Sequence, residues 1–233
     1  MGAVNVSGGL AGALQNSLQL DATLTIDRLN YNSAAAGTER LDWASAFDFN
    51  ADGTADVLDP GAALPVAVDL SIDYASSLEL LVSGTLSGNP ANADIFLSFD
   101  PLTLSGSAAF ALTRQSVDVD TDGNGEADLL GANLTGLALD VDAISPIGIE
   151  ITDVASLTLD GELAVATLDH ATDTRSWFAL KMGAVNVSGG LAGALQNSLQ
   201  LDATLTIDRL NYNSAAAGTE RLDWASAFDF NAD

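Results

Sequence analysis

The alternation that decides the fold is clearest in residues 18–27, which read Leu-Gln-Leu-Asp-Ala-Thr-Leu-Thr-Ile-Asp. Every second residue is apolar and the residues between are polar. Because successive side chains of a strand point to opposite faces, this period of two predicts a strand with one buried and one solvated face. We therefore expect an all-β protein, with room for a short helix only near residues 34–47. Similar alternation predicts strands in residues 64–74, 95–99, 137–143, 147–151 and 178–182.

An internal repeat sets the domain organisation. The last 52 residues, 182–233, reproduce residues 1–52 letter for letter at an offset of 181. Such a run indicates either a window on a tandem array of 181-residue units or an artificial duplication, and we favour the array. We expect residues 1–181 to be one full unit, itself open to division into two related halves. Residues 182–233 are then the truncated start of the next identical unit, joined to the first by continuous β-structure.

A short motif recurs within the strands: apolar, any residue, apolar, Ser or Asp, Gly. It ends at Gly8, Gly84, Gly106 and Gly161. If the strand continues through the glycine, the glycine lies on the apolar face, where it marks a bend, a bulge or a close approach of two backbones. The alternative is a turn at Ser-Gly that joins two short strands.

The charge balance excludes several classes of function. The chain has 32 acidic and 7 basic residues, a net charge of −25, and no cysteine. Nucleic-acid binding needs a basic surface, which this composition does not supply. No apolar stretch reaches the ~18 residues that span a bilayer, so we expect no membrane span. Without cysteine, disulfides and thiolate metal sites are excluded.

Two acidic loops carry the strongest chemical signal. Residues 48–56 read Asp-Phe-Asn-Ala-Asp-Gly-Thr-Ala-Asp, and residues 120–128 read Asp-Thr-Asp-Gly-Asn-Gly-Glu-Ala-Asp. Both match the first nine positions of an EF-hand-type calcium loop, in which alternate oxygens converge on the ion and Gly at position six allows the turn. The competing interpretation is a cluster of Asx-turns facing water. The predicted Ca²⁺ ligands are Asp48, Asn50, Asp52, Thr54 and Asp56, with Asp118, Asp120, Asp122, Asn124, Glu126 and Asp128 in the second loop.

Departures from the full calcium-loop pattern lower the expected affinity. Position twelve is Asp59 in the first loop and Gly131 in the second, instead of a bidentate Glu. An overlapping register that starts at Asp118 leaves the second ligand set open. The flanking residues are strand-like, so we expect isolated loops with dissociation constants on the order of 10⁻⁴–10⁻³ M. A third loop begins at Asp229, Asn231 and Asp233 in the second copy.

Catalytic motifs are scarce, and we expect no enzyme. His170 is the only histidine and lies between acidic residues, so it suggests no Ser-His or Cys-His triad. A secreted hydrolase would need two carboxylates about 5–10 Å apart in a cleft. Trp43 and Trp177 suit packing better than stacking on a sugar.

The acidic loops, followed by Val57-Leu58 or Leu129-Leu130, resemble the calcium loops of FG-GAP/integrin-type propellers, dockerins and thrombospondin-type repeats. The whole unit resembles the repeats of giant, acidic, cysteine-free bacterial surface proteins of the RTX-adhesin-like class. The segments that resemble these repeats are residues 129–137, 161–164 and 177–181. The resemblance implies secretion, calcium-dependent folding outside the cell, and a spacing, adhesive or matrix role.

These observations predict a structural, calcium-stiffened repeat module of a long protein at the bacterial cell surface, such as an adhesin, filament or matrix fibre. Its partners would be neighbouring identical units, with lateral or end-to-end self-association. The expected architecture is an elongated continuous sheet rod or wide solenoid, and the alternative is tandem β-sandwiches of about 90 residues. The alternative function is a calcium-dependent carbohydrate- or ligand-binding module, lectin-like or propeller-like.

Overall fold

The computed structural model describes residues 4–9, 19–99, 101–193, 199 and 201–228, and it is all-β. Leu18 and the third loop at Asp229, Asn231 and Asp233 lie outside the described residues. Short 3₁₀ turns occupy Pro60–Ala63 and Pro90–Asn92. The strands are β1 Val4–Gly9, β2 Gln19–Tyr31, β3 Leu78–Gly88, β4 Ile95–Phe99, β5 Leu102–Ser105, β6 Ser107–Val119, β7 Leu129–Val141, β8 Ile147–Ile151, β9 Ala155–Asp169, β10 Ser176–Leu191 and β11 Asp202–Ala215.

All eleven strands belong to one antiparallel sheet. Its order is β11-β10-β9-β7-β6-β3-β2-β4-β5-β8, with β1 also paired to β2 and β8 also paired to β9. Eight strands therefore form a ring of pairings, so the sheet is barrel-like in its connectivity; they are β2, β3, β6, β7, β9, β8, β5 and β4. The sheet does not divide into two sandwiches of about 90 residues.

The ring of pairings arises because pairs of strands lie end to end. The Gly106 N–H donates to Asp94 O at 2.9 Å, and its carbonyl accepts from the Gly88 N–H at 3.0 Å. The end of β3 and the start of β4 thus meet on the same neighbour. In the same way, β5 leads into β6 at Gly106. β7 pairs with β6 and β8 with β5, and both β7 and β8 pair with β9. The sheet is accordingly an antiparallel meander of eight columns: β1, β2, β3/β4, β5/β6, β7/β8, β9, β10 and β11.

The glycine motifs lie where two strands approach closely. Gly161 has a φ of +128°, and a Cβ added there would lie 2.6 Å from the Cα of Val185 on β10. At Gly106, with φ of +108°, the added Cβ would lie 2.1 Å from the carbonyl oxygen of Pro146. β3 and β9 continue through Gly84 and Gly161, and Gly8 lies within β1, whereas Gly106 stands between β5 and β6. The close-approach prediction is confirmed at Gly84, Gly106 and Gly161, and the turn alternative is wrong at Gly8, Gly84 and Gly161.

The two copies of the repeated sequence form the same hairpin. In the first copy Val4 pairs with Ile26 and Gly9 with Asp21. In the second, Val185 pairs with Ile207 and Gly190 with Asp202, which is the same register displaced by 181 residues. The boundary between Lys181 and Met182 lies inside β10, with a bulge shortly after it. The copies are thus joined within a strand rather than by a linker.

Two expectations from the sequence are wrong. Residues 64–74 form no strand, although their alternation is regular. Their backbone donors are used locally, because the Val68 N–H donates to Gly61 O at 3.2 Å and the Leu70 N–H to Asp59 Oδ1 at 3.0 Å. An isolated antiparallel bridge pairs Ile72 with Leu58, and the Trp43 N–H donates to Tyr74 O at 2.8 Å.

The short helix expected near residues 34–47 is also absent, and turns take its place. Side-chain hydrogen bonds hold this segment in a non-helical course. Asn32 Nδ2 donates to Leu41 O at 3.0 Å, and Trp43 Nε1 donates to Asn32 Oδ1 at 3.1 Å. The second copy repeats both bonds with Asn213, Leu222 and Trp224.

The buried core lies at one end of the sheet and leaves most of both faces half-exposed. The accessible surface of the chain is 14,553 Å² for a mass of 23.8 kDa, whereas a compact monomer of this mass exposes about 9,900 Å². Much of the sheet is therefore a single layer. Within the described residues, no helix is long and apolar enough to cross a membrane. The core consists of Val119, Leu129, Ala132, Leu168, Trp177, Leu222 and Ala227.

Candidate metal centre

The first acidic loop, residues 48–56, closes on its own backbone. Asp48 accepts hydrogen bonds from the Asp52 N–H at 3.2 Å and the Gly53 N–H at 2.9 Å. The last residue of the loop, Asp56, accepts from the Phe49 N–H at 2.7 Å. Its own N–H donates to the carbonyl of Phe47 at 2.7 Å, which fastens the base of the loop. All five predicted ligands of this loop therefore lie within one exposed turn.

The second acidic loop, residues 120–128, connects β6 to β7 and repeats this pattern. Asp120 accepts from the Asn124 N–H at 3.3 Å and the Gly125 N–H at 2.6 Å, the same two positions as in the first loop. Asp128 accepts from the Thr121 N–H at 3.1 Å, as Asp56 does from Phe49. Two segments of different sequence thus adopt one hydrogen-bonding scheme.

The backbone conformations also agree position by position. The fourth residue of each loop is left-handed, with φ of +59° at Ala51 and +76° at Gly123. The sixth residue is also left-handed, with +85° at Gly53 and +84° at Gly125. Glycine adopts this region readily and alanine does not, so Ala51 is strained where its counterpart is relaxed.

This scheme bears on the register of the second loop, which the sequence leaves open. Asp120, not Asp118, occupies the place that Asp48 holds in the first loop. Asp118 lies in β6, and its carboxylate accepts from the Gly131 N–H at 2.8 Å. Glu126 is exposed, and its N–H donates to Asn124 Oδ1 at 2.7 Å. The geometry therefore favours the register that starts at Asp120.

The donor types fit a hard cation, because carboxylate and amide oxygens are what Ca²⁺ prefers. Each carboxylate has about four lone-pair sites, so an oxygen that accepts a backbone N–H retains capacity for a metal. Among the described residues, however, no three acidic or histidine side chains are gathered into a group that could hold a metal ion. The ligand set, including Asn50, Asp52, Thr54 and Asp122, stays a prediction.

The loops also perturb the acidity of their own carboxyl groups. Asp120 is 3% exposed, and the hydrogen bond from the Gly125 N–H is the largest cause that lowers its pKa, against desolvation. N–H groups of Asp122, Gly123 and Asn124 act in the same direction. These bonds stabilise the charged form of the Asp120 carboxyl group.

A residue that sequence reasoning missed, Arg175, joins the second loop to the turn before β10. Its Nη1 donates to Thr121 Oγ1 at 2.9 Å and lies 3.7 Å from Asp128 Oδ2. Its Nη2 lies 2.9 Å from Asp173, and the hydrogen bond from Arg175 lowers the pKa of Asp173. No sequence motif marks this arginine, because its partner Thr121 is 54 residues away.

His170, Trp43 and Trp177 make contacts that stabilise the local structure. His170 Nδ1 accepts from the Asp173 N–H at 3.1 Å and thereby closes a turn. Trp177 is 3% exposed, and its Nε1 donates to Glu220 O at 2.9 Å. Trp43 packs against Phe47, with ring centroids 5.7 Å apart. The packing interpretation of the tryptophans is thus confirmed for Trp177, whose ring is not available to stack on a sugar.

Together, the fold and the loops define an all-β protein with repeated hairpins and two equivalent acidic turns. Comparison with known proteins adds no relative: no family model, no curated protein and no solved structure matches the chain.

Proposed function

We propose that this chain is a structural repeat module of a long extracellular protein of a bacterial surface, stiffened by calcium at its two acidic loops. The observation that carries the proposal is the equivalence of the loops. Residues 48–56 and 120–128 share their hydrogen bonds and their left-handed positions, although only some of their residues are the same. A turn needed only for chain reversal has no reason to preserve three oxygen-bearing side chains at alternate positions.

The sheet supports a mechanical role for the module. The boundary between copies lies inside β10, so force passes along a hydrogen-bonded strand rather than through a flexible linker. The proposed architecture is a continuous sheet that extends from unit to unit as a rod. The charge of −25 keeps such a rod soluble, and divalent cations would relieve its self-repulsion.

Calcium would hold each acidic loop in one conformation. The second loop lies between β6 and β7, and Arg175 ties it to the turn before β10. Ordering this loop therefore holds three strands at one end of the sheet. The ligand groups would be Asp120, Asp122, Asn124 and Asp128, with Asp48, Asn50, Asp52, Thr54 and Asp56 in the first loop.

Thermal unfolding in calcium and in chelator tests this proposal. At calcium about 100 times the dissociation constant, each site stabilises the folded chain by about 2.7 kcal/mol. We expect the Asp120→Asn variant to lose about half of the calcium-induced increase in melting temperature. Asp140→Asn, which alters an exposed acid on β7 outside both loops, is the matched control and should keep the full increase.

Equal melting temperatures of the unmodified chain in about 10–100 mM calcium, which is 100 times the expected dissociation constant, and in chelator would overturn the proposal. An increase that magnesium reproduces equally, or that Asp120→Asn and Asp140→Asn reduce equally, would also overturn it. Such results would assign the effect to screening of the acidic surface instead of to the loops.

A further inference from the structure

The repeated sequence occurs twice in this chain but in two different surroundings. The first copy is followed by β3, and the Asn32 N–H donates to Glu79 O at 3.0 Å on that side. The second copy is preceded by β9, which pairs with β10 from Gly190↔Ser156 to Asn186↔Asp160. The first copy therefore shows the contacts of the repeated sequence with the strand that follows it, and the second copy shows its contacts with the strand that precedes it.

The contacts of the second copy centre on its residues 216–228, which we call the cap segment. Within it, Leu222 and Ala227 are each 2% exposed. They pack in the core with the ends of β6, β7, β9 and β10, and these four strand ends form what we call the acceptor face. The side chains of the acceptor face are Val119, Leu129, Ala132, Leu168 and Trp177.

Hydrogen bonds fix the cap segment on the acceptor face. The Asp120 N–H donates to Ala227 O at 3.0 Å, and Trp177 Nε1 donates to Glu220 O at 2.9 Å. The Ala216 N–H donates to Ser176 O at 2.9 Å. The contact thus combines buried apolar groups with three directional bonds, as a specific interface does.

The first copy has the same cap segment, residues 35–47, without an acceptor face. Leu41, the counterpart of Leu222, is 44% exposed, and Ala46, the counterpart of Ala227, is exposed as well. The internal course of the segment is the same in both copies, since Asn32, Leu41 and Trp43 repeat the bonds of Asn213, Leu222 and Trp224. The surroundings differ. In the first copy Arg40 Nε donates to Ser76 O at 2.9 Å and the Trp43 N–H to Tyr74 O at 2.8 Å, and these contacts leave Leu41 and Ala46 exposed.

We propose that the first cap segment is a docking surface for a second copy of this chain, which would cover Leu41 and Ala46 with its acceptor face. The identity of residues 35–47 with residues 216–228 identifies the occupant, because the chain already shows this sequence in its covered state.

The acceptor face of each chain is already held by its own second copy, so docking is an exchange of one identical segment for another. The second cap segment belongs to the same chain as the acceptor face and has an effective concentration of about the millimolar range. It therefore occupies the acceptor face of the unmodified chain in preference to the first cap segment of another molecule. Weakening the second cap segment removes this advantage and exposes the docking. The inference deepens the proposed function by naming its partner surface, and its test is done in chelator, so the two can fail separately.

Two isomeric variants of the full chain provide the test. Leu222→Asp weakens the second cap segment, whereas Leu41→Asp weakens the first, and the two chains have the same composition and charge. We expect the average mass of Leu222→Asp in sedimentation equilibrium to rise with concentration from one chain to two or more. Leu41→Asp should stay monomeric, because its acceptor face remains covered by its own second copy.

The double variant Leu41→Asp/Leu222→Asp separates docking from aggregation. It exposes the same acceptor face as Leu222→Asp but lacks an intact cap segment, so we expect it to stay monomeric. Hydrogen exchange gives a second readout: the Asp120 amide should regain protection with concentration in Leu222→Asp and not in the double variant. Association of the double variant, or a Leu222→Asp chain that stays monomeric near the effective concentration, would overturn the proposal.

Discussion

At the scale of the residue, the two acidic loops share the same backbone conformation at two positions. The fourth and sixth positions of both loops are left-handed. The second loop places glycine at both positions, whereas the first has Ala51 at the fourth. A left-handed L-residue costs about 1–2 kcal/mol, so the first loop stores strain that the second avoids.

This difference predicts opposite effects of two reciprocal substitutions. We expect Ala51→Gly to raise the free energy of unfolding by about 1 kcal/mol, because glycine adopts φ of +59° without steric cost. Gly123→Ala should lower it by about the same amount. Nothing lies within 4 Å of a Cβ added at Gly123, so packing does not contribute.

Urea unfolding of both variants measures the effect. Ala46→Gly, in the turn region before the loop, is the control for the general entropic cost of glycine and should not stabilise the chain. A fall in stability for Ala51→Gly would contradict the argument.

At the scale of the element, alternation of apolar residues predicts strands well but does not decide which segments find a partner. Residues 147–151 form β8 with the predicted bounds. Residues 64–74 alternate just as regularly, yet their donors are used by Asp59 and Gly61 and they stay outside the sheet. The difference is tertiary: β8 lies between β5 and β9, whereas the edges of β2 are already paired with β1, β3 and β4.

The packing of neighbouring strands also depends on glycine at positions where their backbones approach closely. We expect Gly161→Ala to lower the free energy of unfolding by about 3 kcal/mol or more, because φ is +128° and the new Cβ would meet the backbone of Val185. Gly37→Ala is the control for a positive φ without overlap, since its φ is +78° and nothing lies within 4 Å of the added Cβ.

Calorimetry of the two variants separates strain from overlap. Equal destabilisation by Gly161→Ala and Gly37→Ala would show that β9 and β10 do not approach at Gly161 as described.

At the scale of the whole molecule, position in the sheet gives identical residues different energetic roles. Leu222 is 2% exposed in the core, whereas Leu41, its counterpart in an identical sequence, is 44% exposed. Burial of a leucine side chain is worth about 1.5–3 kcal/mol, and its removal from a core leaves a cavity as well.

The pair therefore gives a prediction with an internal control. We expect Leu222→Ala to lower the free energy of unfolding by about 2–5 kcal/mol, and Leu41→Ala by less than about 1 kcal/mol. Denaturant unfolding monitored by tryptophan fluorescence measures both, because Trp177 lies in the same core as Leu222. Equal effects would mean that the two copies have the same surroundings.

The sequence by itself determined the all-β class, the identity of the hairpins in the two copies, and the segments 48–56 and 120–128 as the candidate site. These features follow from local period, exact repetition and the spacing of oxygen-bearing residues, all of which are properties of the chain alone. The tertiary structure decided that Asp120, not Asp118, takes the hydrogen-bonding place of Asp48, that Arg175 contacts this loop, and which of the equivalent residues Leu41 and Leu222 is buried. Such features depend on residues far apart in sequence, and no local pattern encodes which strand will lie against a given surface.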